Sequence, residues 1–394
     1  MRRFAKSKAL RRKNIANWSL RIVAILALVL LLVFILRFPQ MDFFTRKMAD
    51  TYCRDVFPYV YLLLSWWNSL FYFSVTEMIV VVGGISAFIF VIVKIISLIR
   101  LAIRDDRKAL IRMWKWAKNC LIMACILGVV FQAAHGIAYK RTPAAKRLQI
   151  DTNRERSIEE VYAVMEWAFS NMVEARAELG EDFNGASHMS MNFYEAAEHA
   201  DVLLGEVGDA FGLEMNFFPV NAKPVMLSSL WSQTHIVGVY DPFLGEANIN
   251  VDNMMPISFP STLCHEIAHV RGYAREYDAN LIATLACICS NEPEFRYAGY
   301  HEIFLSMVAL TGDISYMTTY AYTPVRIDTQ AEYAYWLDVD NRWDALSRAI
   351  NTVSEAANDA FLESNGQEGG TETYNVDTNC YVEFYYTYVS GGEI

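Results

Sequence analysis

The first 139 residues contain three long segments without a charged side chain, and these segments constrain the fold more than any other feature. They are Ile22–Leu36, Met78–Val93 and Asn119–Tyr139. A helix rises about 1.5 Å per residue and a bilayer core is roughly 30 Å thick, so each segment can cross it when the flanking basic side chains snorkel. Helices in a soluble core rarely lack a polar face for this length. We therefore predict three transmembrane helices, at about 18–38, 76–98 and 117–139.

A fourth uncharged segment, Val56–Thr76, is rich in Phe, Tyr and Trp, which is typical of the membrane interface. Eight Lys or Arg lie from Arg2 to Arg21, at the start of the first predicted span, and seven lie from Arg100 to Lys118, up to the start of the third. Basic flanks remain cytoplasmic, and a fourth span would place one of these flanks outside. We therefore predict an interfacial segment at 56–75, a cytoplasmic N-terminus, and an extracytoplasmic chain after Tyr139 in the cytoplasmic membrane.

The charge changes sign at the end of this region. Residues 1–139 contain 20 Lys and Arg against 6 Asp and Glu, whereas residues 140–394 contain 14 against 38. The acidic part would repel phosphate, so a nucleic-acid partner is not expected. A hydrophobic content of 54% excludes a disordered chain, and seven Cys without a CxxC pair do not form a disulfide scaffold. We predict a membrane anchor at 1–139 and an extracytoplasmic domain at 140–394.

The acidic part alternates helical and extended patterns. Ser157 and Glu160 form a capping box that predicts a helix to about Leu179. Further predicted helices cover Asn192–Phe211, 277–290, 300–311 and 342–363, and predicted strands cover Pro224–Leu227, His235–Tyr240 and Ala247–Asn250. The predicted fold class is α+β, with transmembrane helices followed by a mostly helical domain that contains a small sheet.

His265, Glu266 and His269 form an HExxH motif. On a helix, residues four apart lie on one face, so both imidazoles can reach one metal ion. Zinc held in this way lowers the pKa of a water molecule to near 7, and the adjacent carboxylate can then act as general base and acid. Cys264 points about 100° away on such a helix and is predicted to be a buried thiol.

A catalytic zinc needs a third protein ligand. Gly272 is placed to end the helix, and Glu276 follows His269 by seven residues. We predict Glu276 as the third ligand and Asn280, one turn further, as the partner that orients a ligating histidine. The alternatives for the third ligand are Asp278, Glu292 and Glu294.

Glu276, Ala279 and Asn280 after an HExxH resemble the gluzincins, the zinc metallopeptidases with a glutamate ligand. Gly272 is a metzincin feature, but the third metzincin ligand would fall at Arg275, which cannot bind zinc. The resemblance implies a zincin-like fold with zinc bound by two histidines and Glu276.

A closer resemblance is to an uncharacterised family of bacterial membrane proteins, domain of unknown function thirty-eight-ten. It rests on the HExxH and on the stretches Gly238–Pro242, Glu246–Asn250, Glu276–Asn280 and Phe295–Tyr300. The family usually has Tyr-Ser-Gly-Tyr where this chain has Ala298, so no role of that serine carries over. This resemblance implies a zinc peptidase and supplies no substrate.

These observations predict a membrane-anchored zinc metallopeptidase that acts on a protein or peptide. Glu266 is the predicted general base, and Tyr297, Tyr300 and His301 are candidates for stabilising an oxyanion. A substrate strand is expected to pair with a sheet edge formed by His235–Tyr240 or Ala247–Asn250. The alternatives are a zinc-stabilised sensing or partner-binding module without catalysis, and a zinc hydrolase acting on another bond.

Overall fold

The computed structural model describes residues 2–104, 106–152, 154, 156–215, 217–312, 323–342, 344–367 and 378–391. Contacts divide the chain into two compact units. The first contains Met1–Phe44 and Met78–Gly136, and the second contains Thr45–Glu77 and Ile137–Ile394. The described residues are mostly helical with a small sheet, as predicted.

The α-helices and strands are numbered in chain order. The helices are α1 Arg2–Arg37, α2 Arg46–Asp55, α3 Phe57–Ser65, α4 Val75–Met78, α5 Gly84–Arg104, α6 Asp106–Ala134, α7 Ala144–Arg147, α8 Ile158–Ala177, α9 Phe193–Ala210, α10 Ser228–Trp231, α11 Phe259–Val270, α12 Glu276–Ile288, α13 Pro293–Thr311, α14 Val325–Arg342, α15 Asp344–Ser364 and α16 Thr378–Phe384. The strands are β1 Lys223–Pro224, β2 Gly238–Asp241 and β3 Glu246–Ile249.

Three helical stretches of the N-terminal region are long and apolar enough to cross a membrane. They are Asn17–Gln40, Val75–Arg104 and Lys108–Ala134, and a π-helical turn joins α4 to α5 within the second. Their apolar side chains are widely exposed; Phe88, for example, is 67% exposed. Such exposure would be unfavourable in water, so it indicates insertion into a membrane.

The aromatic segment between the first two stretches groups by its contacts with the second unit and not with the first. Helices α2 and α3 belong to the second unit. Phe57 and Tyr61 are buried there, their rings pack on Phe217, and the Tyr61 hydroxyl donates to the Pro219 carbonyl. Aromatic composition suits a protein core as well as a membrane interface, so composition could not make this distinction. The predicted contact of segment 56–75 with the interface stays a prediction.

Local capping signals fix the helices of the second unit. The side chains of Ser157 and Asn192 each accept a backbone hydrogen bond, and the glutamate three residues later accepts one from the backbone N–H of the capping residue. Helices α8 and α9 therefore begin where the sequence predicts. Helix α8 packs against α13, and α9 packs against α11 and α12. The buried apolar residues of these helices form one hydrophobic core around α11.

The sheet has three strands in the order β1-β3-β2. Strand β3 is central, parallel to β1 and antiparallel to β2, with Val239 opposite Asn248. Of the two predicted edges, Ala247–Asn250 therefore lies inside the sheet, whereas β2, like β1 on the other side, is an edge strand.

The C-terminal helices differ from the prediction. A single helix was expected at 342–363, whereas the structure has both α14 and α15, and α13 begins at Pro293, earlier than predicted. Helix α14 buries only Val325, Asp328 and Val339. It has no continuous apolar stripe, which is why hydrophobic periodicity failed to reveal it.

Candidate metal centre

Three ligand-type side chains converge where α11 faces α12. The Nε2 atoms of His265 and His269 are 3.0 Å apart. The Oε2 atom of Glu276 lies 3.1 Å from the first and 3.2 Å from the second. All three side chains are buried. The structure thus brings together the two histidines and the glutamate that the sequence predicts as metal ligands.

The other nitrogen of each imidazole fixes its orientation. His265 Nδ1 lies 2.5 Å from Asn280 Oδ1, and His269 Nδ1 lies 2.7 Å from the Tyr273 carbonyl oxygen. Since these oxygens accept hydrogen bonds, both Nδ1 atoms carry protons, and the two Nε2 atoms face Glu276 Oε2. These three atoms attract a cation between them, which can be a metal ion or a proton held on an Nε2 atom.

The spacing of these atoms fits zinc. Ligand atoms about 2.0–2.1 Å from a tetrahedral zinc ion are about 3.3 Å apart, which is close to the three observed distances. Two imidazoles and one carboxylate also form a typical donor set for catalytic zinc, with a fourth position left for other groups. Asn280 occupies the orienting position expected of it, and Tyr273 provides a second such contact that the sequence did not reveal.

The electrostatics of the cluster favour a positive charge at its centre. Burial lowers the pKa of His269, but the Glu276 and Glu266 carboxylates outweigh burial and raise this pKa to about 9. Burial raises the pKa of Glu276, yet His269 and His265 together hold it below its usual value. Each effect arises because opposite charges attract strongly in a buried site.

Glu266 is held beside β2. Its carboxylate accepts a hydrogen bond from the Tyr240 backbone N–H, while its Oε2 atom has no protein partner among the described residues. Burial raises the pKa of Glu266. A Cβ atom on Gly238 would lie only 2.5 Å from Glu266 Oε1, so a glycine is required there. The sequence contained Gly238 and Tyr240 within the resemblance, but nothing in it assigned these contacts.

The loop between α11 and α12 is fixed by Arg141. Gly272 has a positive φ of 87°, as predicted for the residue that ends the helix. The Arg141 guanidinium donates to the carbonyls of Arg271 and Gly272 and lies over the Tyr273 ring. These contacts hold the Tyr273 carbonyl where His269 Nδ1 reaches it.

The alternative ligands lie outside the cluster. Asp278 accepts from the Ala144 backbone and pairs with Arg275, and Glu294 accepts from the Ser190 backbone. Glu292 precedes α13 and is not part of the described metal-ligand group. Cys264 is fully buried, as predicted, with its sulfur 3.9 Å from that of Cys287.

Tyr297 is engaged in a buried hydrogen bond. Its side chain is fully buried, and its hydroxyl donates to Asp328 Oδ2 at 2.8 Å. Tyr300 packs on Trp167. Of the three residues predicted to stabilise an oxyanion, only His301 is among the described residues that line the cleft.

This cleft opens beside the metal cluster and has a volume of about 520 Å³. One wall is the segment Thr234–Gly238 that leads into β2, and the floor is α11 with His265 and Glu266. The opposite wall is formed by α13, α14 and α15. His235 connects the walls, since its ring stacks on Trp336 of α14.

The fold and the site define a class of protein: a mostly helical chain with membrane-type apolar helices and a buried cluster of two histidines and one glutamate beside a cleft. A family model described as "Protein of unknown function (DUF3810)" matches residues 52–379, and the chain belongs to this family. The family resemblance predicted from the sequence is thereby confirmed. No curated protein and no solved structure gives a significant match.

Proposed function

We propose that this protein is a membrane-anchored zinc metallopeptidase of the gluzincin type, with a zincin-like domain. The observation that carries the proposal is the cluster of His265, His269 and Glu276, in which three electron-pair donors face one another at about the spacing of zinc ligands. Glu266 next to it has a carboxylate oxygen without a protein partner. A donor set of this kind at the edge of a cleft is typical of a catalytic site.

Each residue has a distinct role in this proposal. His265, His269 and Glu276 would hold zinc, and Asn280 and the Tyr273 carbonyl orient the two imidazoles. Zinc with an open position lowers the pKa of a water molecule and polarises a carbonyl group. Glu266 then takes a proton from the attacking water and passes it to the departing amine. Its raised pKa suits both transfers, because a carboxyl that is too acidic would not return the proton.

The substrate is proposed to bind as an extended strand along β2. The outer side of β2 lies beside Glu266, since the Tyr240 N–H donates to the Glu266 carboxylate. A peptide that pairs with this side would pass the cluster with its backbone aligned. His301 remains the candidate for stabilising the oxyanion, because it lines the cleft and Tyr297 and Tyr300 do not.

The proposal also includes the orientation predicted from the basic clusters. The N-terminus would be cytoplasmic and the second unit extracytoplasmic, which fits the uneven distribution of Lys and Arg around three spans. A reporter enzyme that is active only outside the cytoplasm, fused after Tyr139, should be active. An active cytoplasmic reporter at the same position would contradict this orientation.

The central experiment combines metal analysis with peptide cleavage by the full-length protein in detergent. Wild type should contain about one zinc per chain, and His265→Ala should lose it. Glu266→Gln should keep the zinc and lose about 10²- to 10⁴-fold in cleavage rate, because it removes the general base. Glu166→Gln, on the exposed side of α8, is the matched control and should behave as wild type.

Two results would contradict the proposal. Wild type that binds no zinc after reconstitution would exclude the metal centre. Full cleavage activity of Glu266→Gln would exclude Glu266 as the general base, and zinc binding without any peptide cleavage would favour the non-catalytic zinc module. In that module His269→Ala should unfold the protein, whereas Glu266→Gln should change nothing.

A further inference from the structure

The cleft beside the metal cluster is lined by charges of one sign. Besides Glu266, its described lining contains Glu302 on α13, Glu332 on α14 and Glu355 on α15. No Lys or Arg is among the described residues that line it. Three separate helices therefore place carboxylates around the same space, opposite the strand along which a substrate is proposed to lie.

Among the described residues, these carboxylates lack the cationic partners that other acidic residues of the second unit have. Asp328 pairs with Arg176, Glu383 with Arg156 and Asp201 with Arg271. By contrast, none of the three cleft glutamates forms a salt bridge with a described residue, and Glu332 accepts only from Ser258, at 2.6 Å. Glu302 and Glu355 are exposed and Glu332 is half-buried, and burial raises the pKa of Glu332.

His301 gives an independent sign that the cleft receives a ligand. Its side chain is 8% exposed and lines the cleft, and its Nε2 atom has no hydrogen-bond partner in the described part of the chain. Burial lowers the pKa of His301 to about 4, so the ring is neutral at pH 7 and adds no positive charge. Buried polar atoms are nearly always hydrogen-bonded, so an unpartnered one at a cleft indicates a polar group supplied by a ligand.

We propose that the cleft selects peptides that carry a positive charge near the cleaved bond, and that Glu302, Glu332 and Glu355 recognise this charge. The inference rests on the peptidase function proposed above. The recognised group is an ammonium or guanidinium, from either a free N-terminus or a Lys or Arg side chain. A cation in this space would supply the positive charge that the described residues around the three glutamates do not. An acidic peptide would instead be repelled by these carboxylates.

The test uses zinc-loaded, full-length protein in detergent and matched fluorogenic peptides. The peptides differ at one position, scanned along the sequence, which holds Lys, Gln or Glu, and each is made with a free and with an acetylated N-terminus. We expect kcat/KM for Lys peptides to exceed that for Glu peptides about tenfold or more, equivalent to one moderate charge interaction. Loss of cleavage on acetylation identifies the N-terminal ammonium as the recognised group, and a Lys preference in acetylated peptides identifies the side chain.

The responsible residues are tested by neutral variants of the same shape. Glu302→Gln and Glu355→Gln, singly and together, should lower the ratio of Lys to Glu cleavage towards one, with circular dichroism confirming the fold. The control Glu166→Gln should keep the ratio. The preference should also weaken at high salt, since salt screens charges that water reaches. Equal cleavage of Lys and Glu peptides, or an unchanged ratio in the double variant, would overturn the proposal.

A binding measurement separates this proposal from the peptidase function. Fluorescent Lys and Glu peptides are titrated onto zinc-loaded Glu266→Gln protein. If no peptide is cleaved by wild type but Lys peptides bind about tenfold more tightly, and Glu302→Gln with Glu355→Gln removes the difference, the peptidase function fails and the charge selectivity stands. If cleavage depends on Glu266 but neither binding nor cleavage depends on the charge of the peptide, the selectivity fails and the peptidase function stands.

Discussion

The two units of the molecule differ in which kinds of side chain they expose and which they bury. The first unit exposes large apolar side chains such as Phe88 and Ile103, which are 67% and 80% exposed. The second unit buries charged side chains, among them Arg176, Glu276 and Asp328. Apolar groups are stable when exposed to lipid, whereas charged groups are stable in a protein interior only when they are paired. The comparison therefore identifies the solvent of each unit.

Within the second unit, the charged side chains fall into two groups. Some are balanced by the protein, as in the pair of Arg176 and Asp328. At the metal cluster and around the cleft, the described residues offer electron-pair donors and carboxylates without a balancing Lys or Arg. Where the protein supplies no cation, a bound cation is expected. This difference underlies both the proposed zinc site and the proposed preference for basic peptides.

The largest expected effect is the loss of stability on removing a buried carboxylate that is paired with an arginine. Asp328 is fully buried and accepts from Arg176, the Ser187 backbone and Tyr297. Asp328→Ala leaves the buried Arg176 with only the half-exposed Glu181 as an ionic partner, so the free energy of unfolding should fall by about 3–5 kcal/mol. The measurement is denaturant unfolding followed by tryptophan fluorescence. Asp55→Ala, which removes an exposed pair with Arg54, should change stability little. Equal losses in both variants would contradict the comparison.

A charge placed on an exposed phenylalanine should distinguish the two solvents. Phe88→Lys in α5 should cost about 3 kcal/mol, because a lysine within the bilayer core must be desolvated or must distort the membrane. Phe183→Lys should cost little, since Phe183 is 100% exposed in the second unit and water accepts the charge. Membrane integration and the activity of a reporter after Tyr139 measure the first effect, and thermal unfolding measures the second. A tolerated Phe88→Lys would argue that α5 is not in the membrane.

The smallest effect concerns Tyr297. Tyr297→Phe removes one buried hydrogen bond to Asp328, so stability should fall by about 1 kcal/mol while zinc content and kcat stay unchanged. Peptide cleavage and denaturant unfolding of the same preparation test this directly. A large fall in kcat with unaltered stability would instead support the catalytic role that the sequence suggested for this residue.

Local signals in the sequence predicted those features that depend on neighbouring residues. The spacing of His265 and His269 put two imidazoles on one helical face, and Ser157 and Asn192 marked two helix starts. The length of the uncharged segments predicted three apolar helices. Each of these rests on the regular geometry of a helix, which acts over a few residues.

Features that join distant parts of the chain could not be predicted in this way. Asp328 contacts Arg176 from 152 positions away, and the Tyr297 hydroxyl is engaged in the same cluster. The burial of Phe57 against Phe217 likewise depends on how two remote segments pack. Hydrophobic periodicity does not specify which segments meet, so α14 and the grouping of α2 and α3 with the second unit could not be predicted from it.

The sequence alone determined the helical spacing of the HExxH, the apolar helices and the opposite charges of the two parts of the chain, because each follows from local composition and period. Only the tertiary structure decided that Glu276, and not Asp278, Glu292 or Glu294, meets the two histidines. It also decided that the edge of β2 lies beside Glu266 and that three glutamates share one cleft. These relations depend on the turn at Gly272 and on helix packing, which fix distances between residues far apart in the chain.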